Sequence, residues 1–435
     1  MERSVISIPP QRSSPPANSR LRPRINPTRS TLELPPRIKA LQDSLPCSLF
    51  ENSQSKILYT FLSVIQYLSD FTAVGDGFEF SGRLIRNQWP LSGRGRTYEV
   101  RRYSEGHKED VDLYNNWRHS YALKCLRVSG DEDEDAASLR YRSLIQELRI
   151  LRHGPLSNHP SFLRVFGLSW ESDESNFDHF LPVLHTEFAT FGTLSSFLSS
   201  WLIPFRQKRR LILNVAEGLL ALHSCAITHG DVKMENVLVF PSDDLDYPFI
   251  GKVSDFGFAM DTSSLADSSD YLVGFTPLWA APEASNKLLR SRMHLTDIYS
   301  FGFVIWSVVL NGQNPFKVHV RHLPTEPQSR LEAFKFLKET DELLNVAVDQ
   351  LHSVELDPDT DLVEIFNFLL RTLRYDPNER DLSTVVKALQ ETPGQKNDTE
   401  FEPLQSFDPK KVISSTLTYY SQSESFLNLL SILCW

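Results

Sequence analysis

An α+β fold in two lobes, a small β-rich one carrying a single helix and a large, mainly α-helical one, is what the apolar patterning of this chain predicts. Between Leu84 and His185 the residues read as strands, then one helix over Arg140 to His153, then strands again. After Gly192 the pattern turns helical: Ile212, Val215, Leu219 and Leu222 share one face, and Ile298 to Leu310 is apolar nearly all round, as in a helix buried at the centre of a lobe.

Length and charge bound the function. A chain of 435 residues is long for one compact domain, and its 23% charged and 41% hydrophobic residues are ordinary for a soluble globular protein. The net charge of −10 gives no reason to expect nucleic-acid binding. Cys47, Cys125, Cys225 and Cys434 are scattered, with no pair at metal-ligand spacing, which suits a reducing compartment. The apolar stretches Ile57–Phe71 and Phe426–Trp435 are shorter than the ~20 residues a bilayer requires, so no membrane partner is expected. The Arg- and Ser-rich start partly mimics a mitochondrial transit peptide, but eight prolines between Pro9 and Pro36 forbid the amphipathic helix such a peptide uses. A cytoplasmic location, with the nucleus as the other option, is therefore expected.

The chain divides by composition. Residues 1–55 form a Pro/Arg/Ser-rich tail expected to be disordered. Residues 56–84 read as a helical extension, because Ile57, Phe61, Val64, Ile65 and Leu68 recur at helical intervals. The main domain covers 85–391, with its small lobe at 85–187 and its large lobe at 192–391, and the 392–435 tail has no assigned role. The acidic run Asp131 to Asp135 reads as a solvated loop ahead of the helix.

The chemistry lies in short motifs whose order is more informative than any one of them. They run Ala122-Leu123-Lys124, then Glu147, then His229-Gly230-Asp231-Val232-Lys233-Met234-Glu235-Asn236, then Asp255-Phe256-Gly257, then Ala281-Pro282-Glu283. Glu147 stands on the apolar helix face with Leu148 and Leu151, so it faces inward and needs a cationic partner. Lys124, on the preceding apolar strand, supplies one. Gly93 and Gly95, between strands, let backbone N–H groups approach phosphates closely, although a lone Gly-x-Gly is equally an ordinary hairpin turn.

In order and separation these motifs resemble the eukaryotic protein kinases, over roughly residues 85–391, in the serine/threonine form with a His-Gly-Asp catalytic loop. The resemblance implies a bilobal protein-kinase-like fold, ATP and Mg²⁺ as cofactors, and protein substrates. It implies that Asp231 orients the acceptor hydroxyl, Lys233 stabilises the transferring phosphoryl, and Lys124, oriented by Glu147, contacts the α- and β-phosphates. Asn236 and Asp255 would ligate metal. Gly93, Gly95, Val100, Ala122, Glu187, Ala189 and Leu238 would bind the nucleotide, with Thr186 flanking the adenine pocket. Thr276 would bridge toward Asp231 and Lys233, Glu283 and Arg380 would form a buried ion pair, and Asp297 would anchor the catalytic loop. Phe256, His229, Leu151 and Val165 would stack into an internal column.

The sequence departs from the family pattern in two places. Tyr98 stands where the third glycine of the phosphate loop belongs, and Gly230 replaces the arginine that receives an activation-loop phosphate. The second departure predicts basal activity with no phosphorylation switch. The two together are the support for an alternative, a weak or inactive pseudokinase acting as a binding scaffold. A small-molecule phosphotransferase is disfavoured by the complete stretch from Thr276 to Glu283 with Arg380. An inserted loop around Tyr103–Trp117 is also expected, because the connection from Val100 to Lys124 is long.

Overall fold

Six strands hydrogen-bond into one sheet in the first of two units into which the chain divides, residues up to Arg152 together with Arg164–Phe188. The computed structural model describes residues 79–84, 91–94, 98–104, 120–126, 143–144, 146–173, 176–266, 269–316 and 327–391. The strands are β1 (Glu79–Leu84), β2 (Leu91–Arg94), β3 (Tyr98–Ser104), β4 (Ser120–Leu126), β5 (Val165–Asp173) and β6 (Asn176–Glu187), in spatial order β1-β5-β6-β4-β3-β2. The β1 strand runs parallel to β5, and the other neighbours are antiparallel. In β4, Leu123 and Cys125 pack with Val183 on one face, which places Ala122, Lys124 and Leu126 on the other by the two-residue period. Lys124 is opposite Val100 on one side and Leu184 on the other, so ladders on both sides fix its backbone.

Two sequence expectations change here. Residues 79–84, grouped with a helical extension, are a strand, and the helical periodicity of Ile57 to Leu68 does not reach them. Residues 56–78 lie outside the described ones, as do the 1–55 and 392–435 tails, the acidic run and the inserted loop apart from Tyr103 and Ser104. The helix expected to end at His153 is helical at 143–144 and 146–151 (α1) and stops there. His153 instead caps a separate short helix, α2 (Gly154–Ser157), because Pro155 fits a helix's first positions and not its interior.

The second unit, His153–Leu163 with Ala189 onward, is mainly helical. It contains α3 (Leu194–Ser200), α4 (Phe205–Ser224), α5 (Arg290–Val309), α6 (Pro327–Glu339), α7 (Leu343–Ser353), α8 (Leu362–Leu370) and α9 (Leu382–Gln390). Its strand pairs are short: β7 (Ile227–Thr228) with β10 (Met260–Asp261), β8 (Val237–Pro241) with β9 (Phe249–Val253), and β11 (Asp270–Tyr271) with β12 (Leu288–Leu289). Helix α5 buries Tyr299, Phe301, Phe303 and Trp306, as its all-round apolar pattern requires. Among the described residues no helix is long and apolar enough to cross a membrane.

One buried ion pair ties α5 and the connection between α8 and α9 to Glu283. Arg380 Nη1 and Nη2 donate to the Glu283 carboxylate at 2.5 and 3.0 Å, and the same guanidinium donates to the carbonyls of Leu295, Arg374 and Tyr375. The Arg380 side chain is fully buried, so losing its counter-charge leaves a cation that water cannot reach. Glu283→Ala is expected to lower unfolding free energy by roughly 3 kcal/mol in urea titrations. A loss below about 1 kcal/mol would show that the carbonyls alone hold the arginine.

Candidate active site

Helix α4 ends at Ser224, and the chain then passes through β7 into His229-Gly230-Asp231. A buried carboxylate from α5 grips this turn: Asp297 Oδ2 accepts from the His229 N–H at 2.7 Å and Oδ1 from the Gly230 N–H at 2.9 Å. His223 Nε2 approaches Asp297 Oδ2 at 2.9 Å, a partner that sequence reading missed. Burial by itself raises the Asp297 pKa, but the His223 contact, with the nearby His229, outweighs it and holds the carboxyl below its ordinary value.

Gly230 has φ +79°, and a Cβ there would lie 2.8 Å from the Phe258 carbonyl oxygen. This is left-handed backbone with no room for a side chain. The absence of the family's arginine is therefore written into the local geometry.

Asp231 is the centre of a polar cluster. Its Oδ1 accepts from Thr276 Oγ1 at 2.5 Å, and its Oδ2 accepts from Lys233 Nζ at 2.6 Å and Asn236 Nδ2 at 3.0 Å. Lys233 Nζ also donates to Thr276 Oγ1 at 3.0 Å. The Asn236 amide nitrogen donates again to the Asp231 carbonyl at 2.8 Å. Its amide oxygen makes no hydrogen bond within the described residues. The His229 ring accepts from the Asp231 N–H at Nδ1 and faces the Ser254 carbonyl with Nε2, which assigns its tautomer.

Ser254 donates its N–H and hydroxyl to the Asn236 carbonyl at 2.9 and 3.0 Å, tying the next residue, Asp255, to Asn236. Asp255 has φ +62°, a left-handed conformation uncommon outside glycine and enriched at functional sites. Phe256 is buried between His229 and Phe162, with ring centroids at 5.1 and 5.9 Å. Phe162 was not among the residues expected to stack there, since it lies in a loop with no local pattern.

The donor chemistry fits magnesium. That ion takes one or two protein oxygens and completes its shell with phosphate and water, so an amide oxygen and a carboxylate suffice. Among the described residues there is no group of three His, Cys, Asp or Glu placed to hold a metal.

In the first unit, Lys124 Nζ donates to Glu147 Oε2 at 2.5 Å with both groups buried, so the inward glutamate has its cation. The Tyr98 ring lies 3.9 Å from the same Nζ. Gly93 pairs with Val100 at the β2–β3 turn, and Gly95 lies outside the described residues. Ala122 pairs with Thr186, whose side chain is buried. Glu187 Oε1 accepts from the Arg164 N–H at 2.7 Å, so its carboxylate is engaged within its own unit. In the second unit, Ala189 accepts from the Gly192 N–H at 3.0 Å, and half-buried Leu238 bridges Thr193.

The segment from Asp255 to Glu283 is held by packing. Val273, Leu288 and Met293 form a buried cluster against Met260, Leu265 and Tyr271. Arg290 Nη1 donates to the Leu265 carbonyl at 3.1 Å, and β11 pairs with β12.

Comparison with known proteins gives a family. Residues 111–392 match the family described as Protein kinase domain. A protein of Acanthamoeba polyphaga mimivirus named as a serine/threonine-protein kinase/receptor is 30% identical over 181 residues, 40% of this chain and 10% of that protein. Serine/threonine-protein kinase ULK3 of Xenopus laevis is 32% identical over 203 residues, 46% of this chain and 38% of its own. Tyrosine-protein kinase csk-1 of Caenorhabditis elegans is 31% identical over 219 residues, 48% of this chain and 35% of its own. The chain thus spans well under half the length of each of these relatives.

The depressed Asp297 carboxyl gives a signed pH prediction. Its stabilising contribution is present above the ordinary value of 3.8 and is lost as pH falls through the lower folded-state value. Asp297→Asn is expected to be less stable at neutral pH and to lose less stability than wild type between about pH 5 and 3. Parallel acid limbs for the two proteins would refute a charged Asp297.

Proposed function

This chain belongs to the protein kinase domain family, and on that premise we propose that it transfers the γ-phosphoryl group of ATP, taken with magnesium, to serine and threonine hydroxyls of proteins. The observation that carries this reading is the Asp231 carboxylate held by Thr276, Lys233 and Asn236. Phosphoryl transfer needs little covalent help from a protein, only phosphates held, charge neutralised and a hydroxyl aligned.

Asp231 keeps acceptor capacity beyond its three bonds, because a carboxylate offers about four lone-pair sites. It orients the acceptor hydroxyl and receives its proton. Lys233 neutralises charge as the phosphoryl moves, and the Lys233–Thr276–Asp231 bonds favour the serine/threonine form of the chemistry. Lys124, fixed by Glu147, holds the α- and β-phosphates. Asn236 Oδ1 and the Asp255 carboxylate would hold the metal, which when bound would neutralise charge on the phosphate oxygens. By family resemblance, adenine binding is assigned to Val100 and Ala122 in the first unit and to Leu238 in the second. Glu187 and Ala189 contribute backbone groups, since the Glu187 side chain is already engaged. Gly93 and Gly95 bring backbone N–H groups to the phosphates.

One observation favours a second reading. The Tyr98 ring sits over Lys124 Nζ, where a nucleotide phosphate would be received, which suits a scaffold with weak nucleotide binding. The two readings separate in a single experiment on phosphate incorporation into itself and into myelin basic protein. Lys124→Met and Asp255→Asn are each expected to lower incorporation at least about a hundredfold, with both proteins still folded. Equal signals from wild type and both variants would transfer the assignment to a scaffold. Tyr98→Gly is expected to tighten ATP binding about tenfold if the ring obstructs the lysine, and to leave it unchanged if the ring swings aside freely.

A further inference from the structure

Lys338, in the last turn of α6, is a buried lysine with an unusual set of partners. Its Nζ donates to the carbonyls of Leu278 at 2.7 Å, Ala280 at 2.8 Å and Pro277 at 3.4 Å. It also lies 4.9 Å from the centre of the Phe303 ring, 5.6 Å from Phe316 and 6.0 Å from Tyr299. No carboxylate pairs with it among the described residues. A buried cation without a counter-ion is costly, and an apolar side chain there would be cheaper unless the three carbonyls need its protons. The remaining carbonyl of this stretch, that of Trp279, accepts from Ser300 Oγ at 2.9 Å. Helices α5 and α6 therefore satisfy every backbone acceptor from Pro277 to Ala280.

The residue before that stretch is Thr276, whose hydroxyl bonds Asp231 and Lys233. Beside the loop lies a cavity of about 300 Å³ lined by Phe275, Leu278, Ala281, Pro282 and Phe334 among others, while on its other side the buried Trp279 ring packs against Phe303 and Phe316. Facing the cavity, three of the four carbonyls are held by the lysine. We propose that Lys338 is a positioning residue for the protein acceptor, holding the 277–280 backbone in the form that receives the polypeptide next to Asp231. This rests on the protein-kinase reading above and adds a residue that no catalytic motif contains.

The staple is built to titrate. An ammonium has three N–H donors for three carbonyls, and the neutral amine has two. Burial pushes the Lys338 pKa down to about 7 from its ordinary 10.5. The other charged groups around the cavity are Glu332, Lys335 and Glu339 of α6. From α5, Tyr299 presents a phenol whose pKa burial pushes up. Among the described residues, no histidine lines the cavity. On this proposal, loss of the third proton leaves one of the three carbonyls without its donor, and the loop loosens as pH rises through about 7. The linked effect on global stability has the opposite sign: the unfolded chain holds the proton above that pH, so this group favours folding as pH rises.

The test measures steady-state phosphorylation of myelin basic protein between about pH 6.5 and 8.5, after confirming by thermal melting that each variant folds. Wild-type KM for the acceptor is expected to rise about fivefold across this range while KM for ATP stays within about twofold. Lys338→Met is expected to show the high acceptor KM at every pH, with kcat and ATP KM near wild type. Lys338→Arg should restore a low acceptor KM and abolish its pH dependence, since arginine stays charged. An acceptor KM unchanged in Lys338→Met, or kcat and both KM values worsening together, would overturn the proposal. If Lys338→Met does not fold, a flat wild-type acceptor KM overturns it and a rising one supports it. Should wild type transfer no phosphate at all, the kinase reading fails. The staple is then judged by amide exchange at 278–281, which must accelerate more with pH than exchange in the catalytic loop does.

Discussion

A single carboxylate buried in α5 sets the geometry on which the rest of the site depends. Asp297 takes two consecutive backbone N–H groups, His229 and Gly230, and so fixes the turn that delivers Asp231. Burying it costs desolvation, which the His223 contact and His229, through its charge and its N–H, more than offset. From that turn the order propagates through short polar links. Asp231 gathers Thr276, Lys233 and Asn236, and the Asn236 carbonyl gathers Ser254 ahead of Asp255. The turn is fixed through backbone N–H groups, and the cluster around Asp231 is closed by side-chain bonds from Thr276, Lys233 and Asn236.

The same turn leaves no place for the arginine that would clamp a phosphate. Gly230 leaves no basic side chain at the place where an arginine would meet a phosphorylated segment, and its φ of +79° with the Phe258 carbonyl close by leaves no space for one. In its place the segment is held by apolar contacts among Val273, Leu288, Met293, Met260 and Leu265, by the β11–β12 pair and by Arg290 on its carbonyls. Apolar burial is permanent where a phosphate is conditional. The segment's far end is fixed by Glu283 on Arg380 and by Lys338 on the 277–280 carbonyls.

Much of this was legible in the sequence because the signals were periodic or strictly spaced. Ile298 to Leu310 announced the central helix, and Glu147 on an apolar face required a cation, which Lys124 provides at 2.5 Å. The pairing of Glu283 with Arg380, nearly a hundred residues apart, came from family resemblance and not from local pattern. The contacts of His223, Phe162 and Lys338 were not foreseen, since each acts through tertiary contact from an element whose local sequence is unremarkable. Residues 79–84 were misread because a helical period upstream was extended past its last apolar repeat into a segment that pairs as a strand. The side-chain role of Glu187 was likewise invisible, because its partner is a backbone N–H, which carries no sequence signal.

The claim that packing and Asp297 order this site without modification is tested most directly by one rate. Recombinant protein is stripped of phosphate by phosphatase and verified by intact mass, and single-turnover transfer to myelin basic protein is timed before any self-phosphorylation accumulates. The stripped protein should react at a rate within about twofold of the same protein preincubated with ATP and magnesium. A stripped protein that is inert, and becomes active only after phosphorylation, would contradict the account.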